Sequence, residues 1–201
     1  MGLAVPGRVQ MAGSRDRMRI STIYAAAFVR PPDLDTETIK QIGATWGSWK
    51  TWRACATDNV ICHDVGHARE LYRRSLHKSC NLYLPEKFYN KMSRPMDVRF
   101  YQGDFQEDIQ DLEDVVAMHL VAGISDLVLM FGYDLSNPGP ILDRMVLRSL
   151  RNRLGLIRSC LAQNPQVQWV AINHARPLDP AFGELTNLTC DQINNVLQLL
   201  V

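Results

Sequence analysis

Arg30, His63 with Asp64, Gln102 with Asp104, Tyr133 with Asp134, and His174 with Arg176 each stand just after an apolar run. Guanidinium groups take phosphate oxygens, often in bidentate pairs, and carboxylates accept from ribose hydroxyls or hold a divalent cation. Imidazole exchanges protons near neutral pH. Gathered on one rim, these groups suit a phosphorylated ligand: a nucleotide or sugar nucleotide, with magnesium as its natural companion. In that arrangement Asp134 contacts a ribose, a metal or an acceptor hydroxyl, and Arg30 and Arg176 neutralise phosphate. His174 or His63 is then the acid–base group, and Asp64 and Asp104 are further ligand contacts. Each residue alone is equally what a solvated loop would carry, so the weight lies in their collection.

What would collect them is a parallel sheet, whose strands all deliver their carboxyl ends to one edge. The stretch 125–140, SDLVLMFGYDLSNPGP, is built like such an end. Its apolar run, 127–131, fits a strand buried on both faces. Gly132 then changes its character and is expected to expose Tyr133, Asp134, Ser136 and Asn137 before three breakers. Five further strands are expected at 19–29, 59–62, 80–84, 98–101 and 167–173. Helices are expected at 35–42, 65–78, 86–92, 112–124, 141–162 and 190–200. Asp35 caps the first of these, and 178–189 reads as a loop. Alternation of strands and helices predicts an α/β, three-layer, Rossmann-like fold, with a mostly parallel sheet of about six strands and helices on both faces. A mixed sheet with the same layers is the alternative.

Residues 18–201 read as one domain, with 46% apolar residues to fill its core. Residues 1–17 lack both periodicity and a signal-peptide core and read as a flexible or partner-ordered tail. The net charge of +1, from 22 basic and 21 acidic residues, supplies no general field for nucleic acid or an anionic membrane. No apolar run approaches the ~18 residues that span a bilayer. Five cysteines without a Cys-x-x-Cys pair fit a reducing, cytoplasmic setting.

Several fingerprints are absent. AAAFVRPP stands after the first strand where a dinucleotide-binding glycine loop would be, and there is neither a Walker A lysine loop nor a nucleophile elbow. The stretch His63-Asp64-Val65-Gly66-His67 has the histidine spacing of a zincin helix, but aspartate replaces the glutamate and no third ligand is evident. It also resembles the His-Asp signature of HD phosphohydrolases, a metal-dependent class that needs an upstream histidine, and none precedes His63. The plainer expectation is that Asp64 begins the next helix with His67 on its face, and no metal site is assigned. Trp46, Trp49 and Trp52, at intervals of three within Gly43 to Arg53, have helical spacing and read as a packed face rather than a ligand platform. His119 reads as a core or boundary histidine, Met118, Met130 and Met145 as core filler, and Arg144 to Arg158 mostly as a solvated helix face.

The piece VLMFGYDLSN resembles the strand and turn of some Rossmann-like glycosyltransferases, of the sialyltransferase-like and pterin-pyrophosphokinase-like kinds. The likeness covers about a dozen residues, and only Gly132, Tyr133 and Asp134 carry over. It implies a glycosyl- or nucleotidyl-transferase in which those three line the nucleotide site. The chain as a whole is also similar to uncharacterised tailed-phage proteins, found in the host cytoplasm or the virion. Two readings therefore stand together. One is a nucleotide-binding enzyme. The other is a non-enzymatic interaction or assembly protein, a homo-oligomer or a protein binder, using the tryptophans, the arginine helix and the tail as contact surfaces.

Overall fold

A computed structural model describes residues 18–75, 78–92, 98–103, 111–172, 174, 178–183 and 185–200. The tail expected at 1–17, together with Asp104 and Arg176, lies outside the described residues. In chain order the elements are β1 (Ile20–Tyr24), α1 (Thr36–Ile42), β2 (Gly43–Ser48), α2 (Trp49–Cys55), β3 (Asn59–Ile61) and α3 (Val65–Arg73). Then follow β4 (Asn81–Pro85), a 3-10 segment at Glu86–Lys91, β5 (Arg99–Tyr101), α4 (Leu112–Ala122), β6 (Leu127–Phe131) and α5 (Arg144–Gln163). The chain closes with β7 (Gln168–Ile172), a 3-10 turn at Pro180–Phe182, β8 (Thr186–Leu188) and α6 (Cys190–Leu200).

All eight strands join one sheet in the order β5-β4-β3-β2-β1-β6-β7-β8, and every pairing is parallel. The fold class is therefore α/β, with eight strands where about six were expected. Alternation along β1 and β6 sends side chains to both faces. Ile23, Val128 and Met130 join α4 and α5 residues such as Val115, Val121 and Ile157 on one face. Tyr24, Leu129 and Phe131 meet Ile39 of α1 and Ile193 of α6 on the other. Farther along that second face, Val60, Leu82 and Leu84 pack with Ala68 and Leu71 of α3.

Two strands escaped the sequence reading. The first is β2, in the stretch where the tryptophans have helical spacing. A Cβ at Gly43 would lie 2.0 Å from the Ile20 carbonyl oxygen, so only glycine lets the chain leave α1 directly alongside β1. Thr45 is then anchored by its main-chain N–H and its hydroxyl, both donating to Asp58 at 2.9 and 2.7 Å. The tryptophan interval of three is consequently not a helical face. Trp46 points from β2 into the core beneath α4, whereas Trp49 and Trp52 belong to α2 and pack on the opposite face. The second is β8, inside the expected loop. It pairs through Val170↔Thr186 to Ile172↔Leu188, and its three residues are too few to show a period.

Other boundaries moved for local reasons. The first strand stops at Tyr24, because Phe28 N–H donates to the Ala25 carbonyl at 2.9 Å and closes a turn. Arg30 thus stands six residues beyond the strand, not at its end. The long helix begins at Arg144 because the Asp143 carboxylate accepts from Met145 N–H and Val146 N–H at 2.8 and 3.3 Å. Met145 is 82% exposed, contrary to its expected core role, while Met118 and Met130 are buried.

Candidate functional site

Strand order reverses between β1 and β6. From β1 the chain winds outward through β2 to β5, then returns to place β6 on the other side of β1. The loops after β1 (25–35) and after β6 (132–143) therefore leave adjacent strands in opposite directions, which opens the crevice where parallel α/β sheets receive ligands. Arg30 lies on the first loop and Asp134 on the second. Both are exposed, and one Arg30 Nη donates to the Leu34 carbonyl at 3.4 Å.

The β6 loop is shaped by its own side chains. Asp134 Oδ1 accepts from Ser136 N–H at 3.1 Å and from Ser136 Oγ at 2.5 Å, and Asn137 Oδ1 accepts from Gly139 N–H at 3.2 Å. Such side-chain turns hold a loop without regular structure. The Asp134 side chain remains 67% exposed, so the turn presents its carboxylate to solvent.

His174 lies behind this turn. Its Nε2 accepts from Leu135 N–H at 3.0 Å, so the proton of the ring sits on Nδ1. The 3.7 Å separation from Asp134 Oδ1 is too long for a hydrogen bond, and the His174 side chain is only 6% exposed. In this arrangement the ring holds the turn that carries Asp134 through the Leu135 N–H. Asn187 of β8 fixes His174 in turn: its Oδ1 accepts from His174 N–H at 3.1 Å, and its Nδ2 donates to the His174 carbonyl at 2.9 Å. No sequence pattern marked Asn187, since its partner is main chain just past the neighbouring strand.

Tyr133, expected on the rim, is instead 4% exposed and part of the core. Its hydroxyl donates to the Asp114 main-chain carbonyl at 3.0 Å, and burial pushes its phenol far above the usual range. Gly132 has φ +74°, and a Cβ there would meet Phe28 Cα and Cβ at 2.8 Å. Gly132 thus seats the β1 loop against the β6 loop.

The expected His63–Asp134 constellation does not form. His63 follows β3, three strands from β6, or about 14 Å at ordinary strand spacing. Its Nδ1 lies 3.5 Å from the hydroxyl of Tyr101, the last residue of β5. Asp64 is the N-cap of α3, accepting from His67 N–H at 3.0 Å, and the His67 ring stacks on Trp49 with centroids 4.3 Å apart. Asp64 is thereby engaged as a cap, away from the β1/β6 crevice. Among the described residues, no group of three or more His, Cys, Asp and Glu could hold a metal ion, and no helix is long and apolar enough to cross a membrane.

The arginines of α5 divide into two sets. Arg144, Arg148 and Arg151 are exposed, whereas Arg153 turns inward to Asp114 at 3.0 Å and the partly exposed Arg158 pairs with Asp179 at 2.6 Å. Arg153 and Asp114 are both buried, with side chains 8% and 1% exposed. The sequence reading did not mark Asp114. A carboxylate among Val115, Val116 and Ala117 is the available signal, because a charge inside an apolar helix needs a partner.

Compared with known proteins, the chain matches no family model, no curated protein and no solved structure.

Proposed function

We propose that the protein is a Rossmann-like binder of a nucleotide or sugar nucleotide, seated between the loops after β1 and β6. The observation that supports this is the reversal of strand order between those strands, with exposed Arg30 on one loop and exposed Asp134 on the other. Arg30 neutralises phosphate, while Asp134 accepts from a ribose hydroxyl. A magnesium ion would enter with the phosphates, keep most of its waters and take Asp134 as its protein carboxylate. Glycosyl or nucleotidyl transfer is the reaction class that such a ligand serves.

The test is a thermal-shift screen of nucleoside diphosphates and sugar nucleotides, with and without magnesium. A ligand at a hundredfold excess over Kd stabilises the native state by about 2.7 kcal/mol, well within reach of a melting curve. Arg30→Ala and Asp134→Asn should each abolish the shift while leaving the unliganded melting temperature nearly unchanged. Absence of any shift in the parent protein overturns the reading.

A second reading, a protein-binding scaffold, has its own support. Val29, Leu142 and Met145, in or just after the same two loops, are 84%, 102% and 82% exposed. Large apolar side chains left in water at one edge are what a protein contact would cover. Loss of self-association or partner capture on Leu142→Asp with Met145→Asp would favour it.

A further inference from the structure

Beneath the loops after β1 and β6, one residue gathers four parts of the chain. Asp114, in the first turn of α4, accepts at Oδ1 from Ala26 N–H just past β1, at 2.9 Å. Its Oδ2 accepts from Arg153 Nη2 of α5 at 3.0 Å. Its main-chain carbonyl accepts from Tyr133 in the loop after β6, and the Arg153 guanidinium carbon lies 5.6 Å from the Tyr133 ring centroid. We infer that the buried Asp114–Arg153 pair is a proton-operated tie that sets how firmly the loops after β1 and β6 are held over the switch point. The tie is independent of any ligand; its bearing on binding rests on the nucleotide reading above.

Both protonation states carry a cost, which is what makes such a pair responsive. Ionised, the carboxylate is stripped of water but matched to Arg153 and to Ala26 N–H. Protonated, it escapes that desolvation, yet Arg153 stays in a buried place where its Nε already has no acceptor among the described residues. The guanidinium must then turn toward water, uncovering the Tyr133 ring and slackening the hold on Ala26. Burial is the stronger influence and pushes the Asp114 carboxyl up to about 7 against the pull of Arg153. The other groups around it are Asp111 at the start of the same helix, with Lys50 of α2 3.7 Å from it, and the Tyr133 phenol. Glu113 acts instead on Cys62 and Tyr101, and the loop after β1 meets Asp114 through the Ala26 main chain.

The experiment is a site-resolved titration of the full chain by NMR, following the Asp114 side-chain carbon and the exchange of the Ala26 amide. Asp114 should titrate near neutral pH, far from the ordinary aspartate range. Protection of Ala26, corrected for intrinsic base catalysis, should change by about tenfold as pH passes through the same midpoint, because charged and neutral acceptors hold an N–H with different strength. Arg153→Gln should move the Asp114 midpoint upward. An Asp114 midpoint below about 5, or Ala26 protection that ignores pH, overturns the tie. The parent titration alone decides should the variant not fold. Failure of every nucleotide to bind would leave the tie standing, and a pH-invariant Ala26 would leave the nucleotide reading standing.

Discussion

Phe28 rests directly on Gly132, so closely that a Cβ on the glycine would come within 2.8 Å of the phenylalanine Cα. The contact joins the loops that flank the strand-order reversal. Phe28 also meets Tyr24 and Phe131, with ring centroids 5.1 and 5.6 Å away, so an aromatic cluster lies beneath both loops. On the proposed function, ligand contacts come from residues farther out on the loops, such as Arg30 and Asp134.

Two glycines with similar backbones separate conformational cost from crowding. Gly132 and Gly139 have φ of +74° and +65°, but nothing lies within 4 Å of a Cβ built on Gly139. Gly139→Ala should therefore cost only the left-handed penalty, about 1 kcal/mol. Gly132→Ala adds the collision with Phe28 main chain and should cost about 3 kcal/mol in urea denaturation. Equal costs would mean that the Phe28 contact yields easily.

Asp64 tests whether the HDVGH stretch is structural. As an N-cap, Asp64→Ala should lose about 1 kcal/mol and Asp64→Asn only a fraction of that, since asparagine also caps well. The chelator EDTA should leave the melting temperature unchanged. A stoichiometric metal that disappears with His63→Ala would show that the cap description is incomplete.

Much of this arrangement was legible because its causes are local. Leu127–Phe131 announced a buried strand by its unbroken apolar run, and Asp35 and Asp64 announced helix starts by residue type. The missed features depend on distant partners. Gly43 opens a strand because Ile20 lies beside it, and Asn187 matters because it bonds the main chain of His174 just past the neighbouring strand. Tyr133 follows the buried strand yet turns inward, since the Asp114 carbonyl, nineteen residues earlier, receives its hydroxyl. The parallel sheet made one edge certain to collect polar residues. It did not bring His63 to Asp134, because strand order, invisible in the chain, inserts β2 and β1 between them.

The cysteines should behave as reduced thiols. Cys55, Cys62, Cys160 and Cys190 are buried, Cys80 is partly exposed, and no disulfide joins them among the described residues. Burial pushes Cys55, Cys80 and Cys160 up to about 11, leaving little reactive thiolate at neutral pH. Native labelling with a thiol reagent should be slow and begin at Cys80, whereas denatured, unreduced protein should release five equivalents. Rapid native labelling of Cys62, which is fully buried between β3 and α3, would contradict the packing.

The pH dependence of folding stability should carry the signature of Asp114. Its carboxyl stands at about 7 in the folded chain against 3.8 for an ordinary aspartate, because burial outweighs the attraction of Arg153. Between those values the folded state holds a proton that the unfolded state has released. Stability from this group therefore falls as pH rises from about 4 to about 7, and changes little above that. His119 acts in the opposite sense: burial lowers its pKa, so its contribution is lost as pH drops below the ordinary histidine range. Comparison with Asp114→Asn removes that background, since both proteins share every other titrating group. The wild-type-minus-variant difference in urea stability should slope downward across the window by an amount on the order of a few kcal/mol. The slope, and not the absolute stability of the variant, carries the test, because the amide also alters the hydrogen bonds to Ala26 and Arg153. A flat difference, or one that rises with pH, would mean that Arg153 offsets burial completely and that Asp114 stays ionised throughout.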